Sequence, residues 1–382
     1  MTRVLLLSPF APNASHNHAA ADTIVQLVPR LAQRTELFVY APGGSEDTGA
    51  PYTMLRPSWT PQPGVRDRLG RRPAWLRQAW PHAANEEVDT LVRRLQPDVV
   101  HAEYLQGAEA LRNRRNSVLG LHDITENVMA QSYRASSGLA RPYRLAELVR
   151  TRTFERAAIR GAGAVLTLSD ADHKVASALN PNTLLARPGV EVGPVAWAPP
   201  PPAAAGPRLV FAGAMWRRAN VLVAQYLAGE VMPQVWRDFP AAQLRIVGAD
   251  PTDEVTQLGV ADGRIVVTGA VPDLRDEMLQ AHAVVVPSIV GGGVLMKVVH
   301  AMALGCPVVT SPGPADSVRG DASMLFTGET AEELAAAIGT ALHSPEDAAA
   351  RGARAREHIR RTFRWEDTVE AYLAAYKIAG AR

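Results

Sequence analysis

Three glycines and a lysine stand between two apolar runs in the second half of the chain. The glycines are Gly291, Gly292 and Gly293, and Lys297 follows in the first turn of a predicted helix. Glycines allow backbone N–H groups to approach an anion closely, and the N-terminus of a helix adds partial positive charge. A lysine there opposes the helix dipole unless an anion offsets it. The simplest interpretation is a diphosphate bound at this turn.

A histidine follows Lys297 by three residues, so His300 is predicted on the same face of the helix. A histidine presents only one ring nitrogen to a given ligand and cannot accept two hydrogen bonds from it. The sequence therefore allows two interpretations, a contact with the bound ligand or a core histidine with one backbone partner.

Two groups of polar residues end neighbouring apolar runs in the first half of the chain. One group is His101 with Glu103, and the other is His122 with Asp123 and Glu126. Open parallel sheets bind ligands beyond the carboxyl ends of their strands. We therefore predict that both groups lie near a bound ligand.

The loop after the first apolar run is polar and carries Asn13, His16 and His18. Because it follows a strand, it is expected at the ligand-binding edge of the sheet. We predict that it touches an acceptor or a phosphate; the alternative is a polar loop that only begins a helix.

No group of residues has the spacing of a metal site. Asp170 and Asp172 could hold a metal, but they follow Ser169 directly after an apolar run. A serine N-cap with two aspartates in the positive first turn of a helix explains the pattern better. His16 and His18 lack a companion carboxylate. We expect no required metal and no other cofactor.

Short apolar runs alternate with helical patterns along the chain, which indicates an α/β fold with parallel sheets. In the first half the runs are 4–8, 37–41, 99–103, 118–122 and 165–169. In the second half they are 209–213, 244–248, 265–269, 284–288 and 308–311.

The two halves are joined by residues 197–207, which include consecutive prolines at 199–202. Proline at that density enters neither a sheet nor a helix, so this segment is predicted to be an extended linker. A length of 382 residues suits two domains. We predict domains at 1–195 and 196–364, and a last helix over 365–378.

The composition is that of a globular protein, with 47% hydrophobic and 20% charged residues. A net charge of +2 argues against a dominant role with nucleic acid. The single cysteine, Cys306, excludes an internal disulfide and is expected to be buried and inert. No apolar run reaches the roughly 20 residues of a membrane span, and the N-terminus lacks a signal-peptide pattern. The expected location is the cytoplasm.

Residues 56–80 combine arginines with Trp59, Trp75 and Trp80. Basic residues interleaved with tryptophans suit a peripheral membrane contact or a lipid-linked acceptor. A solvated loop followed by one short helix at 74–80 is the alternative interpretation.

The run 287–310 resembles the donor-site signature of retaining glycosyltransferases of the GT-B fold, in glycosyltransferase family 4. In the nearest branch that signature reads roughly G-G-G-x-x-x-K-x-x-E-A-M-A-x-G-x-P-V-V. Gly292 stands at the family's first glutamate, where a glycine is common in this branch. His300 replaces the second glutamate, which grips the nucleotide ribose in the family.

Further segments carry the same resemblance. Residues 211–220 are similar to the F-x-G-x-M-x-x-x-P-N opening of the family's second domain, with Ala219 in place of the proline. Residues 244–248 and 267–273 fit the next two strands with their loops, and 97–191 match more thinly. The resemblance covers nearly all of 209–311.

The resemblance implies two Rossmann-like domains facing each other across a cleft, an acceptor domain at 1–195 and a nucleotide-sugar domain at 196–364. Residues 365–382 would pack back on the first domain. The implied donor contacts are Gly213, Arg217, Arg218, Gly248, Ser288, Gly291, Gly292, Gly293, Val294, Lys297 and His300. The implied acceptor contacts are Asn13, His16, His18, His101, Glu103 and Glu126.

The implied activity is transfer of a sugar from a nucleotide-diphosphate sugar to a hydroxyl, with retention at the anomeric carbon. Lys297 would stabilise the leaving diphosphate, His122 would contact the transferred sugar, and Asp123 would orient the acceptor hydroxyl. The leaving phosphate takes the acceptor proton in such reactions, so no protein base is assigned. The acceptor could be a natural product, a polysaccharide or a lipid-linked sugar, and the oligomeric state is open.

Two alternatives remain at this stage. One is a GT-B protein that binds a nucleotide sugar without transferring it. His300 favours this alternative, and so does the first loop, where members of the family usually carry a glycine pair and this chain has His16, Asn17 and His18. The other is an isomerase of the nucleotide sugar on the same fold. An oxidoreductase is disfavoured, because no G-x-G-x-x-G follows the first apolar run.

Overall fold

A computed structural model describes residues 1–12, 19–43, 49–59, 72–134, 136–138, 140–200, 206–288 and 295–381. The predictions for Asn13, His16 and His18, and for residues 291–294, lie outside these ranges. The chain divides into two compact units. Unit 1 is Met1–Pro188 with Trp365–Arg382, and unit 2 is Gly189–Arg364. The division falls a few residues before the predicted boundary at 195.

Unit 1 is built on a seven-stranded parallel sheet in the order β3-β2-β1-β4-β5-β6-β7. Its strands are β1 (Arg3–Leu7), β2 (Glu36–Tyr40), β3 (Thr53–Leu55), β4 (Val99–Glu103), β5 (Ser117–Leu121), β6 (Ala164–Thr167) and β7 (Thr183–Leu185). Its helices in sequence are α1 (Ala19–Ala32), α2 (Ala74–Ala79), α3 (His82–Leu95), a 3₁₀ segment (Leu105–Leu111), α4 (Thr125–Arg134), α5 (Ala140–Gly161) and α6 (Asp170–Ser177).

Unit 2 is built on a six-stranded parallel sheet in the order β10-β9-β8-β11-β12-β13. Its strands are β8 (Arg208–Ala212), β9 (Gln243–Val247), β10 (Ile265–Gly269), β11 (Ala283–Val286), β12 (Val308–Thr310) and β13 (Phe326–Thr327). Its helices are α7 (Arg218–Tyr226), a π-helical turn (Leu227–Val231), α8 (Met232–Asp238), α9 (Asp253–Ala261), α10 (Leu274–Leu279), α11 (Met296–Leu304), α12 (Pro312–Ser317), α13 (Ala331–His343) and α14 (Pro345–Thr362).

The last helix, α15 (Trp365–Gly380), belongs to unit 1 although it follows unit 2 in sequence. Its buried face includes Tyr372 and Tyr376, which share an apolar core with Val4 and Leu6 of β1. The Arg30 guanidinium of α1 lies over the Trp365 ring, 4.7 Å from its centroid. The helix thus closes one face of the first sheet.

All ten apolar runs predicted to be strands coincide with strands of the two sheets. The strands that the pattern misses are β3, β7 and β13, which have two or three residues and lie at sheet edges. An edge strand is half exposed and needs no continuous apolar run, so periodicity carries little signal for it.

Both sheets reverse their strand order once, between β1 and β4 in unit 1 and between β8 and β11 in unit 2. Ligands of doubly wound sheets bind at this switch point, beyond the carboxyl ends of the strands. Glu103 ends β4, and Gly213 directly follows β8. The topology therefore brings the predicted polar residues of each half to the switch point of its own sheet.

Candidate functional sites

A half-buried lysine defines the candidate site of unit 2. The Lys297 Nζ atom donates a hydrogen bond to Asn220 Oδ1 at 2.8 Å, and it lies 4.7 Å from the centroid of the Phe211 ring. Asn220 Nδ2 in turn donates to the Ala214 carbonyl at 2.8 Å. We name Phe211, Gly213, Asn220 and Lys297 the lysine cradle. The first two come from the end of β8, Asn220 from α7 and Lys297 from the first turn of α11, as the sequence predicts.

The surroundings of Lys297 in the lysine cradle disfavour its charged form. Burial, together with the charge of Arg217, lowers the pKa of Lys297 to about 8. In the described part of the chain, no carboxylate pairs with Lys297; its hydrogen-bond partner is a neutral amide. A bound anion would supply the missing negative charge.

Two glycines make room for the cradle. A Cβ atom on Gly213 would lie 2.8 Å from Asn220 Nδ2 and 3.0 Å from Lys297 Nζ. A Cβ atom on Gly248, whose φ is +150°, would lie 1.7 Å from the Gly213 carbonyl oxygen. The Gly248 N–H donates to the Gly269 carbonyl at 3.0 Å, which fixes its position. Gly248 therefore lets the loops after β8 and β9 approach each other behind the lysine.

Replacing Gly248 with alanine is expected to destabilise the protein by roughly 2 kcal/mol or more, because backbone atoms must move and φ is unfavourable. Thermal unfolding would measure the loss. Gly229→Ala is the matched control, because nothing lies within 4 Å of its added Cβ. Equal melting temperatures for the Gly248 variant and the wild type would contradict this account of the loop.

The other predicted donor residues are placed differently. Arg217 is exposed and close enough to act on the Lys297 charge, whereas Arg218 pairs with Glu254 of α9 at 2.5 Å. The Ser288 N–H donates to Ser311 Oγ at 3.1 Å. His300 is half-buried one turn after Lys297, and burial lowers the pKa of its ring. Of the two arginines, Arg217 is therefore the better placed for an anion near Lys297.

Asn220 supports the lysine and not the start of the helix. The N-cap residue of α7 is Arg217, and Asn220 lies one turn further on. Its carboxamide instead joins Lys297 to the Ala214 carbonyl. The asparagine therefore orients the lysine.

In unit 1 a buried glutamate joins two histidines. The His122 Nε2 atom lies 2.7 Å from Glu103 Oε1, and Tyr372 donates its hydroxyl to the same oxygen at 2.8 Å. His101 Nε2 lies 2.8 Å from Glu103 Oε2, in a contact too poorly aligned to be a hydrogen bond. The other ring nitrogen of His101, Nδ1, lies 2.9 Å from the Tyr376 hydroxyl. We name these five residues the histidine cluster.

The electrostatics of the cluster favour an ionised glutamate. Burial alone would disfavour the charged carboxylate, but the contacts from His101 and His122 outweigh it and hold the pKa of Glu103 well below its usual range. Burial raises the pKa of Tyr372 and Tyr376 far above 10, and the Glu103 charge adds to this. Both tyrosine hydroxyls are therefore neutral at physiological pH.

His101 and Glu103 have completely buried side chains, whereas the His122 side chain is 12% exposed. The first two residues can thus act on a ligand only through His122, rather than by the direct contact that the sequence predicts. The His122 ring stacks on Tyr104 with centroids 3.7 Å apart. Tyr104 has φ of +72°, a strained conformation for a bulky residue and typical of functional sites.

The loop after His122 is fixed by another buried carboxylate. Glu155 of α5 accepts hydrogen bonds from the backbone N–H groups of Thr125 and Glu126, at 2.7 and 2.8 Å. Burial raises the pKa of Glu155 to about 7, and the nearby charge of Asp123 adds to the shift. Glu126 pairs with arginines of α5, and its contact with an acceptor stays a prediction. Asp123 is half-buried beside these groups.

Two further expectations are tested by the structure. Ser169 caps α6 by accepting the Asp172 N–H, which confirms the structural interpretation of that motif. Cys306 is fully buried, as predicted, and burial raises the pKa of its thiol to about 12. Trp59, Trp75 and Trp80 donate their indole N–H groups within unit 1, to Tyr40, Thr151 and Asn85. None of the described helices is long and apolar enough to cross a membrane.

Comparison with known proteins identifies the architecture. Residues 206–344 match the family model described as Glycosyl transferases group 1. The chain superposes on sucrose-phosphate synthase (tll1590) from Thermosynechococcus elongatus with a TM-score of 0.71, 19% identity and 98% coverage of both chains. For WaaG, a glycosyltransferase involved in lipopolysaccharide biosynthesis, the TM-score is 0.66 at 15% identity, covering 98% of this chain and 99% of WaaG. The fold is GT-B.

Another solved GT-B structure of similar shape is Anabaena Alr3699/HepE in complex with UDP-glucose. Its TM-score is 0.65 at 16% identity, with 99% of both chains covered. No curated protein sequence matches this chain. The group 1 match includes Gly213, Asn220 and Lys297, so the lysine cradle lies inside the matched segment.

Sequence reasoning missed the residues that support the predicted ones. Tyr372 and Tyr376 carry no motif, and they reach β4 from more than 260 positions away in the chain. Their spacing of four residues on one face of α15 was the available signal, but it is equally typical of core packing.

Proposed function

We propose that the protein is a retaining glycosyltransferase that moves a sugar from a nucleotide-diphosphate sugar to an acceptor hydroxyl. The lysine cradle carries this proposal, because it presents a cation without a carboxylate partner among the described residues at the switch point of the second sheet. The group 1 match over residues 206–344 and the GT-B fold support glycosyl transfer from a nucleotide sugar.

On the donor side the cradle would act on the leaving group. The bond between the anomeric carbon and the diphosphate oxygen breaks, and negative charge develops on that oxygen. A positioned ammonium group stabilises such charge more strongly in a desolvated site than in water. Asn220 holds the Lys297 amine in place, and Arg217 adds a second positive charge. The protein supplies this charge itself, so we propose that transfer needs no metal.

On the acceptor side we propose that His122 contacts the transferred sugar and that Asp123 orients the acceptor hydroxyl. The new bond forms between that hydroxyl oxygen and the anomeric carbon, with retention, and the departing phosphate takes the proton. Glu103 stays ionised behind His122, since its pKa is held low. We assign the enzyme to glycosyltransferase family 4 and to the cytoplasm as parts of the same proposal.

Thermal unfolding with UDP, GDP, ADP, CMP and dTDP tests the donor site. A ligand that binds only the native state stabilises it by about 2.7 kcal/mol at 100 times its Kd. We expect one diphosphate nucleotide to raise the melting temperature most, and its monophosphate to raise it far less. UDP comes first, because HepE is solved with UDP-glucose. No shift with any nucleotide would contradict the donor site.

A second candidate function is a GT-B protein that binds a nucleotide sugar without transferring it. The position of His300 favours it, because the lowered pKa leaves a neutral ring where the resembling family carries an anionic glutamate. Binding of a nucleotide without donor hydrolysis or transfer would support this candidate. His300→Glu then discriminates: a large gain in donor affinity indicates a degenerated site, and loss of turnover indicates a site adapted to histidine.

A further inference from the structure

The terminal helix contributes two tyrosine hydroxyls to the histidine cluster. Tyr372 donates to Glu103 Oε1 at 2.8 Å, and Tyr376, one turn later, lies 2.9 Å from His101 Nδ1. Both tyrosine side chains are buried. Because α15 belongs to unit 1, these contacts are internal to that unit.

The hydrogen bonds define the protonation of one ring nitrogen. Glu103 is ionised and can only accept, so the proton in its 2.7 Å contact with His122 lies on Nε2. Tyr372 shares the same carboxylate oxygen and holds it in place. In the neutral form of the ring, Nδ1 is therefore the acceptor nitrogen of His122.

The remaining contacts fix the orientation of the ring. Tyr104 stacks on one face of His122 with an angle of 18° between the ring planes. A Cβ atom on Gly120 would lie 2.4 Å from Glu103 Oε2, so the carboxylate occupies the space that this glycine leaves free. Among the described residues, Nδ1 of His122 has no hydrogen-bond partner. That nitrogen is the polar atom available to a ligand.

We propose that Tyr372 is a positioning residue for sugar transfer, acting through Glu103 to keep the proton of His122 on Nε2 and to present Nδ1 to a hydroxyl of the sugar substrate. This inference rests on the proposed function and extends it to the terminal helix. Without the tyrosine hydroxyl, Glu103 Oε1 has one donor fewer and is free to rotate away from His122. The ring then samples both tautomers and more than one orientation.

The test compares Tyr372→Phe with Tyr376→Phe, which removes the same atom from the same helix face. We expect Tyr372→Phe to lower kcat roughly tenfold, the effect of one hydrogen bond to a charged group. KM for the nucleotide sugar and the affinity for its free nucleotide should stay at wild-type values. Tyr376→Phe should change kcat less, because its hydroxyl contacts His101 and not Glu103.

Nitrogen NMR of the histidine rings supplies the readout that a loss of packing would not change. The wild type should show His122 protonated at Nε2, and Tyr372→Phe should show a mixture of tautomers. Wild-type tautomer and kcat in Tyr372→Phe would overturn the proposal. So would a neutral wild-type His122 protonated at Nδ1, which decides the matter even if the variant fails to fold.

The proposed function and the proposed role of Tyr372 can fail separately. If the wild type transfers no sugar from any nucleotide sugar, the proposed function fails, and the role of Tyr372 in transfer fails with it. If transfer occurs but Tyr372→Phe behaves as the wild type, only the role of Tyr372 is overturned.

Discussion

Lys297→Met is expected to lower the rate of sugar transfer by about 100- to 1,000-fold, the usual cost of removing one preorganised group that stabilises developing charge. Methionine keeps an unbranched side chain that is one atom shorter than that of lysine, so the fold should persist. Steady-state kinetics with the nucleotide sugar identified by thermal unfolding would measure the loss. The free diphosphate nucleotide should also bind more weakly.

The matched control is Lys174→Met, which removes an exposed lysine from the last turn of α6. It should leave kcat and KM unchanged. A Lys297→Met enzyme that turns over at the wild-type rate would exclude Lys297 from catalysis and leave the lysine cradle without a function.

The same lysine predicts a pH dependence of nucleotide binding. Its pKa of about 8 in the free protein means that the amine loses its charge as the pH rises through that value. The second pKa of a phosphate is about 6, so the charge of the ligand does not change there. Affinity for the diphosphate should therefore fall above about pH 8 in the wild type and stay flat in Lys297→Met, as calorimetry would show.

Glu103→Ala is expected to destabilise unit 1 by about 2–5 kcal/mol, because it leaves buried hydrogen-bond donors without an acceptor and opens a cavity. The donors that lose their acceptor are His122 and Tyr372. Hydrogen exchange measured by mass spectrometry on peptides of β4 and β5 would report the loss within unit 1. Transfer activity should fall with it, because His122 loses its partner.

Glu86→Ala is the control for this effect, since Glu86 is an exposed residue of α3 in the same unit. The pH dependence has a definite sign. The pKa of Glu103 is lower in the folded protein than the unfolded value of about 4.3, so its stabilisation is complete above that value. It is lost as the pH falls through the folded pKa. An unchanged exchange rate in Glu103→Ala at neutral pH would contradict the assigned role.

The sequence predicts the strands that carry the candidate site residues better than it predicts the residues that hold those side chains in place. Buried parallel strands are continuous apolar runs, so all ten predicted runs fall within the two sheets. Gly213 and His122 directly follow strands, Glu103 ends a strand, and Lys297 lies in the first turn of the helix after β11, so sheet topology brings each pair together. The roles of Asn220 and Tyr372 depend on contacts between distant segments, 77 and 269 residues apart, which no local pattern encodes.

Burial could not be predicted either. His101 and Glu103 occupy strand positions that look suited to a ligand, yet both side chains are enclosed, partly by tyrosines of the last helix. Polar residues at the end of a strand can bind a ligand directly, or they can hold in place another residue that binds it. Only the position of α15, which the local sequence does not determine, decides between them.

The membership of α15 in unit 1 has a consequence for the order of folding during synthesis. Unit 2 is one continuous segment and can fold as soon as it leaves the ribosome, whereas unit 1 lacks Tyr372 and Tyr376 until the end of the chain emerges. Domains generally fold from the N-terminus onward during translation, but here residues 1–188 lack part of their apolar core until α15 is made. A chain that terminates before Trp365 would therefore keep a complete lysine cradle and have no complete histidine cluster.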